Sequence, residues 1–131
     1  MTAPLIDSAS AFKFTIASSI LLLGLVTLLI SLPLIYRKVP MNAFYGIRIR
    51  ASFQSEQRWY DINAQGGKLF AKWSALIIVA WLIGFIVPTD LFLFYAPAAA
   101  VVVLLAILMP VIQVVRWARS TQSEASRTQN G

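Results

Sequence analysis

Charged and apolar residues are segregated along this chain into long blocks. No charged residue occurs in 14–36, 73–87 or 91–115. About 20 apolar residues cross the hydrocarbon core of a bilayer, so the first and third runs are long enough unaided. The second reaches that length by taking in 69–72, with the Lys72 ammonium extended to the interface. The pattern predicts an all-α integral membrane protein with three transmembrane helices, over 14–36, 69–87 and 91–116. Residues 1–13 are expected to form a short, frayed exterior tail. The polar stretch 117–131 is expected to be disordered beyond Ser120. The first run exceeds a signal peptide's apolar segment and ends on Arg37 and Lys38 instead of a small-residue cleavage site, so it is expected to stay in the membrane.

Within the runs, small residues recur at helical spacing. Ala17, Gly24, Thr27 and Ser31 form one stripe on the first helix, Ala80 and Gly84 a second on the next, and Ala96, Ala99 and Ala106 a third. Such stripes let membrane helices approach backbone to backbone. Pro33 and Pro110 predict bends, whereas Pro97 lies near a helix start. "VPTD" at 87–90 reads as a tight exterior turn, with Thr89 or Asp90 suited to cap the following helix.

The segment 37–68 interrupts the hydrocarbon. Pro40 and Asn42 mark a turn. In "FYGIRIR" the isoleucines 47 and 49 alternate with Arg48 and Arg50, so each pair takes its own face. Gly46 permits a backbone conformation closed to other residues. Ser52 is placed to cap an amphipathic interfacial helix over 53–65, with Glu56 in its first turns, where negative charge suits the macrodipole. On that helix Trp59, Ile62 and Gly66 share a stripe with Glu56 and Asn63. Gly66 and Gly67 either separate this helix from the second span or let another backbone pack closely.

Charge adds the topology. The chain is 59% apolar and 12% charged, with a mean hydropathy of +0.75. Of its eleven basic residues, all but Lys13 lie in 37–72 or in the tail after the third run. With three spans these segments share one side. The positive-inside rule makes that side cytoplasmic and puts the N-terminus outside. The net charge of +6 is therefore a topology signal, and no nucleic-acid partner is expected. The bilayer is one partner; another membrane protein, or a second copy of the chain, is expected as well.

The chain contains neither Cys nor His, which removes disulfides, thiolate chemistry, imidazole acid–base work and the usual zinc sites. Glu56 and Asp61 are five residues apart, about 140° around a helix of 3.6 residues per turn, a poor arrangement for paired catalytic carboxylates. No catalytic residue, metal or cofactor is expected. Polar atoms inside the runs, Gln113 among them, are expected to bond between helices or to backbone.

The order Pro40, Asn42, Gly46-Ile47-Arg48, Ser52, Glu56, Trp59, Asn63, Gly66-Gly67-Lys68 resembles the SdpI family of small bacterial membrane proteins. The resemblance, with the flanking spans, covers roughly 20–110. It implies an integral protein of the bacterial cytoplasmic membrane. A member of that family is an immunity protein that protects its producer from a secreted peptide toxin and relays the toxin's presence to a repressor. That member is longer, with an additional N-terminal membrane region, and the present chain corresponds to its C-terminal module. Asn42, Gly46, Arg48, Glu56, Trp59, Asn63, Gly66 and Gly67 are the candidate binding residues, with Arg48 expected to pair with Glu56 or a bound anion. The expected function is non-enzymatic toxin tolerance or sensing through this motif. The alternatives are an accessory subunit of a larger membrane complex, and a lipid-headgroup enzyme or half-transporter.

Overall fold

The computed structural model describes residues 7–130, with side chains as far as 128. Three long helices account for most of it: α1 (Ser8–Ile35), α2 (Glu56–Ile86) and α3 (Phe92–Asn130), with one 3-10 turn at Arg50–Phe53 and no strand among the described residues. All three are long and apolar enough to cross a membrane. At 1.5 Å per residue α2 extends about 46 Å and α3 about 58 Å, against a hydrocarbon core of about 30 Å. Both therefore extend well beyond the apolar zone. Their surplus is polar and lies at the same end, at the start of α2 and the end of α3.

α2 is the central helix. α1 and α3 each pack along it and make almost no contact with each other. The seam with α1 uses the predicted small stripe: Ala17, Gly24 and Ser31 are buried. A Cβ on Gly24 would sit 2.9 Å from Ile78 Cγ1 and 3.2 Å from Ile77 Cγ2, so the missing side chain sets the helix separation. On the other seam Ala80 and Gly84 face α3, and the Tyr95 ring lies over Gly84 with its hydroxyl donating to the Ala80 carbonyl. Ala99 and Ala106 are buried, Ala96 partly so. Trp73 Nε1 donates to Gln113 Oε1 at 3.2 Å, joining α2 to α3. Large side chains such as Leu22, Leu29, Phe85 and Leu104 point outward, as lipid-facing positions require.

The helix ends follow local chemistry. α1 passes through Pro33 and closes at Tyr36. There Arg37 takes a left-handed conformation (φ 56°), its N–H bonds to the Leu34 carbonyl and the Lys38 N–H bonds to the Pro33 carbonyl. That pair of bonds is a Schellman ending, with an arginine where glycine is usual. At the other end of the molecule, 87–91 turns back through Leu91 N–H to Pro88 carbonyl and Phe92 N–H to Thr89 carbonyl. Neither Thr89 nor Asp90 provides a side-chain cap among the described residues. Lys13 instead reaches across from α1 and donates to the Val87 carbonyl that ends α2.

The structure corrects several expectations. There is no separate interfacial helix at 53–65, because α2 runs unbroken from Glu56 through Gly66 and Gly67. The glycine pair serves close packing, not a break. The cap is Ser55, whose hydroxyl accepts from the Arg58 N–H at 3.1 Å. Ser52 instead folds its hydroxyl back to the Ile49 carbonyl. α1 begins at Ser8, inside the stretch expected to fray; residues 1–6 of that tail lie outside the described residues. α3 continues to Asn130, across the stretch expected to be disordered. No Gly or Pro falls between 111 and 130, and a helix already nucleated in the apolar run adds residues at little further cost.

Candidate functional site

The connection 36–55 folds back onto the start of α2 and is fixed by side chains. Asn42 organises its first half. Its Oδ1 accepts the N–H groups of Phe44 (2.8 Å) and Tyr45 (2.7 Å), and its Nδ2 donates to the carbonyls of Pro40 (2.7 Å) and Tyr45 (3.1 Å). All of its hydrogen-bonding capacity goes into one tight turn. Tyr45 then reaches α1, its hydroxyl donating to the Ile30 carbonyl three residues before Pro33. Burial raises the Tyr45 phenol above its ordinary pKa.

Gly46 follows at φ +121°, a region that side chains disfavour. Space forbids a side chain as well. A Cβ there would lie 2.5 Å from Asn63 Oδ1 and 3.1 Å from Trp59 Cζ2. This close approach lets the next residue, Ile47, donate its N–H to Asn63 Oδ1 at 2.5 Å. Asn63 turns its Nδ2 to the Trp59 carbonyl at 2.9 Å, so a buried amide is satisfied on both sides. Trp59 is fully buried, with Nε1 donating to the Val39 carbonyl at 2.9 Å. The Phe53 ring lies 5.3 Å from it, tilted by 47°. Two side chains one turn apart on α2 thus hold both limbs of the loop.

Below this layer is an apolar core of Ile62, Val114 and Ala118, packed by Ile47, Ile49, Ala51, Leu69, Val115 and Trp117. The predicted alternation holds: Ile47 and Ile49 turn inward, while Arg48 and Arg50 are exposed. Gly66 makes room for Ile47, since a Cβ there would overlap Ile47 Cδ1. Gly67 serves the opposite side of α2. A Cβ there would lie 3.0 Å from the Ser31 carbonyl oxygen and 3.1 Å from the Ile35 nitrogen. Adjacent glycines point about 100° apart on a helix, so one admits the loop and the other admits α1.

Polar staples close the periphery. Arg58 donates to Thr121 Oγ1 and to the Ala118 carbonyl, both at 2.9 Å, tying α2 to the polar end of α3. Arg37 pairs with Asp61 at 2.5 Å, a partly exposed bridge of the kind that contributes at most about 1 kcal/mol.

Of the eight candidate residues, the structure brings Gly46, Trp59, Asn63 and Gly66 together where the loop docks on α2, the last three buried and Gly46 partly so. Asn42 shapes the loop above them, and Gly67 faces α1. Arg48 and Glu56 stand apart. Both are exposed, and the expected pairing between them is not formed: neither side chain has a hydrogen-bond or ion-pair partner among the described residues. Sequence reasoning missed Tyr45, Arg58 and Val114 as partners of the motif. For Arg58 no signal exists in the sequence, because its partners lie about sixty positions away.

The match with known proteins covers the same part of the molecule. The model of the SdpI/YfhL protein family matches residues 38–115. That range takes in the docked loop from Lys38 onward, the whole of α2, and α3 as far as Val115, while α1 lies outside it. No curated protein and no solved structure matches the chain. With more than half of its length matched and three helices able to span a bilayer, this chain belongs to the SdpI/YfhL family of membrane proteins.

Proposed function

We infer that this chain is a non-enzymatic membrane protein whose loop-side head binds a partner, and that this binding gives tolerance to a membrane-active peptide or senses it. One observation carries the reading. Six of the eight motif residues are consumed in packing, Asn42, Gly46, Trp59, Asn63 and Gly66 in fixing the loop on α2 and Gly67 in admitting α1, and the two left over, Arg48 and Glu56, are charged, exposed and unpaired among the described residues. A rigid platform that displays one cation and one anion is suited to recognition, since little ordering entropy remains to be lost on binding. The eight residues act in two ranks, six building and two presenting.

The reading places the chain in the bacterial cytoplasmic membrane, with the head and the end of α3 in the cytoplasm and the start of α1 outside. The support is the concentration of Lys and Arg at the head end, which the positive-inside rule assigns to the cytoplasm.

Deleting the gene is expected to sensitise cells to at least one peptide in a panel of membrane-active peptides. The wild-type chain is expected to restore tolerance, and R48Q/E56Q at equal membrane abundance to fail. Unchanged sensitivity across the panel overturns the reading. A fixed stoichiometric membrane partner in native mass measurements favours an accessory subunit instead.

A further inference from the structure

A cleft of about 700 Å³ opens beside the head, between the 3-10 turn and the end of α3. Its floor is apolar, formed by Ile49, Ala51, Val115 and Ala118, and its rim carries Arg50, Gln54, Arg119 and Gln122. None of the eight motif residues lines it. The two guanidinium groups come from different elements, both are exposed, and neither has a hydrogen-bond or ion-pair partner among the described side chains. No acidic residue lines the cleft. A second basic cleft, near Arg37 and Arg58, differs on this point. There Asp61 neutralises Arg37, and Arg58 is occupied by Thr121 and the Ala118 carbonyl.

The position of the first cleft specifies its ligand further. Val115 closes the charge-free run of α3, and Arg116 begins the polar extension. The floor therefore lies where hydrocarbon gives way to headgroups, with the arginines just beyond it. Guanidinium groups bind phosphate oxygens in paired, planar geometry, and the glutamine amides add neutral donors for the same oxygens. An apolar floor running towards the membrane accepts the first part of an acyl chain, which a free phosphate ion lacks. We propose that this cleft binds the headgroup of an anionic phospholipid, its phosphate between Arg50 and Arg119 and its glycerol and upper acyl carbons over Val115 and Ala118.

The test uses the full chain in nanodiscs of mixed phosphatidylcholine and phosphatidylglycerol. After transfer to detergent, native mass spectrometry reads which lipid stays bound. The wild-type chain is expected to retain phosphatidylglycerol over phosphatidylcholine, and R50Q/R119Q to lose that preference by on the order of tenfold. K38Q/R127Q removes the same net charge from exposed positions outside the cleft and is expected to keep the preference. Equal loss in both double variants overturns the proposal in favour of bulk attraction, and equal retention in both overturns it outright. Millimolar inorganic phosphate is expected to displace the lipid only weakly; full displacement assigns the cleft to a free anion and overturns the lipid assignment. Circular dichroism confirms that each variant remains helical, and the single variants R50Q and R119Q, each expected to show part of the loss, repeat the test if a double variant misfolds.

Discussion

The two halves of α2 are held by different physics. From Ser74 to Gly84 its buried positions are Ser74, Ile77, Ala80 and Gly84, and the large side chains around them face outward. From Trp59 to Gly67 the buried set is Trp59, Ile62, Asn63, Ala64, Gly66 and Gly67, with a bulky indole and a satisfied amide at its centre. The first half resembles a membrane seam, the second the core of a small soluble domain. In lipid an exposed leucine loses nothing, so helices associate through close backbone packing. Beyond the apolar zone water returns, and large side chains gain by leaving it. One unbroken helix thus changes its packing rule partway along.

Mutations at the two halves should separate these rules. Trp59→Ala removes a fully buried indole and the Val39 bond, a loss of about 3–5 kcal/mol. The expected result is an undocked loop, read as faster tryptic cleavage at Arg48 and Arg50, with the helical signal in circular dichroism kept. If helicity collapsed as well, the head and the membrane seam would be one cooperative unit and the division between them would fail.

Gly46→Ala should come next. The left-handed backbone and the contact with Asn63 Oδ1 together cost about 1–3 kcal/mol, and the same proteolysis assay reads the loss. Asn63→Ala leaves the Ile47 N–H without its partner, at about 1–3 kcal/mol. The two changes remove one contact from opposite sides, so the double variant should cost less than the sum of the singles.

Gln113→Leu tests the membrane half. It breaks the Trp73–Gln113 bond, and interhelical bonds in a bilayer average about 0.6 kcal/mol, so thermal unfolding in detergent should shift only slightly. A loss as large as that of Asn63→Ala would show that the seam depends on polar bonds and not on small residues. Smallest of all for stability is Arg48→Gln, expected within about 0.5 kcal/mol because the side chain is exposed and makes no ion pair among the described residues. A destabilisation as large as that of Trp59→Ala would return Arg48 to the structural rank.

Much of the site is legible in the order of residues. The eight motif positions stand out by type and spacing, and the stripe of Trp59, Ile62, Asn63 and Gly66 follows from helical periodicity alone. Which of them are taken up in packing and which stay exposed is not legible there. Gly46 and Asn63 are far apart along the chain and become neighbours only when the loop folds back. Glu56 shares its stripe with Trp59 yet stays exposed, because the loop docks one turn further along. Periodicity gives the face a residue points to, but not what covers that face.

Three membrane-crossing helices and an asymmetric charge distribution are already written in the linear order of residues, because hydrocarbon length and charge exclusion are properties of composition along the chain. The same order marks which seam positions have to be small. The continuity of α2 through Gly66 and Gly67 is of another kind and arises only in three dimensions. A glycine pair lowers helix propensity by about 1 kcal/mol per residue, and here Ile47, Ser31 and Ile35 pack into the space those glycines leave. Local preference argues for a break at that point, and packing overrules it.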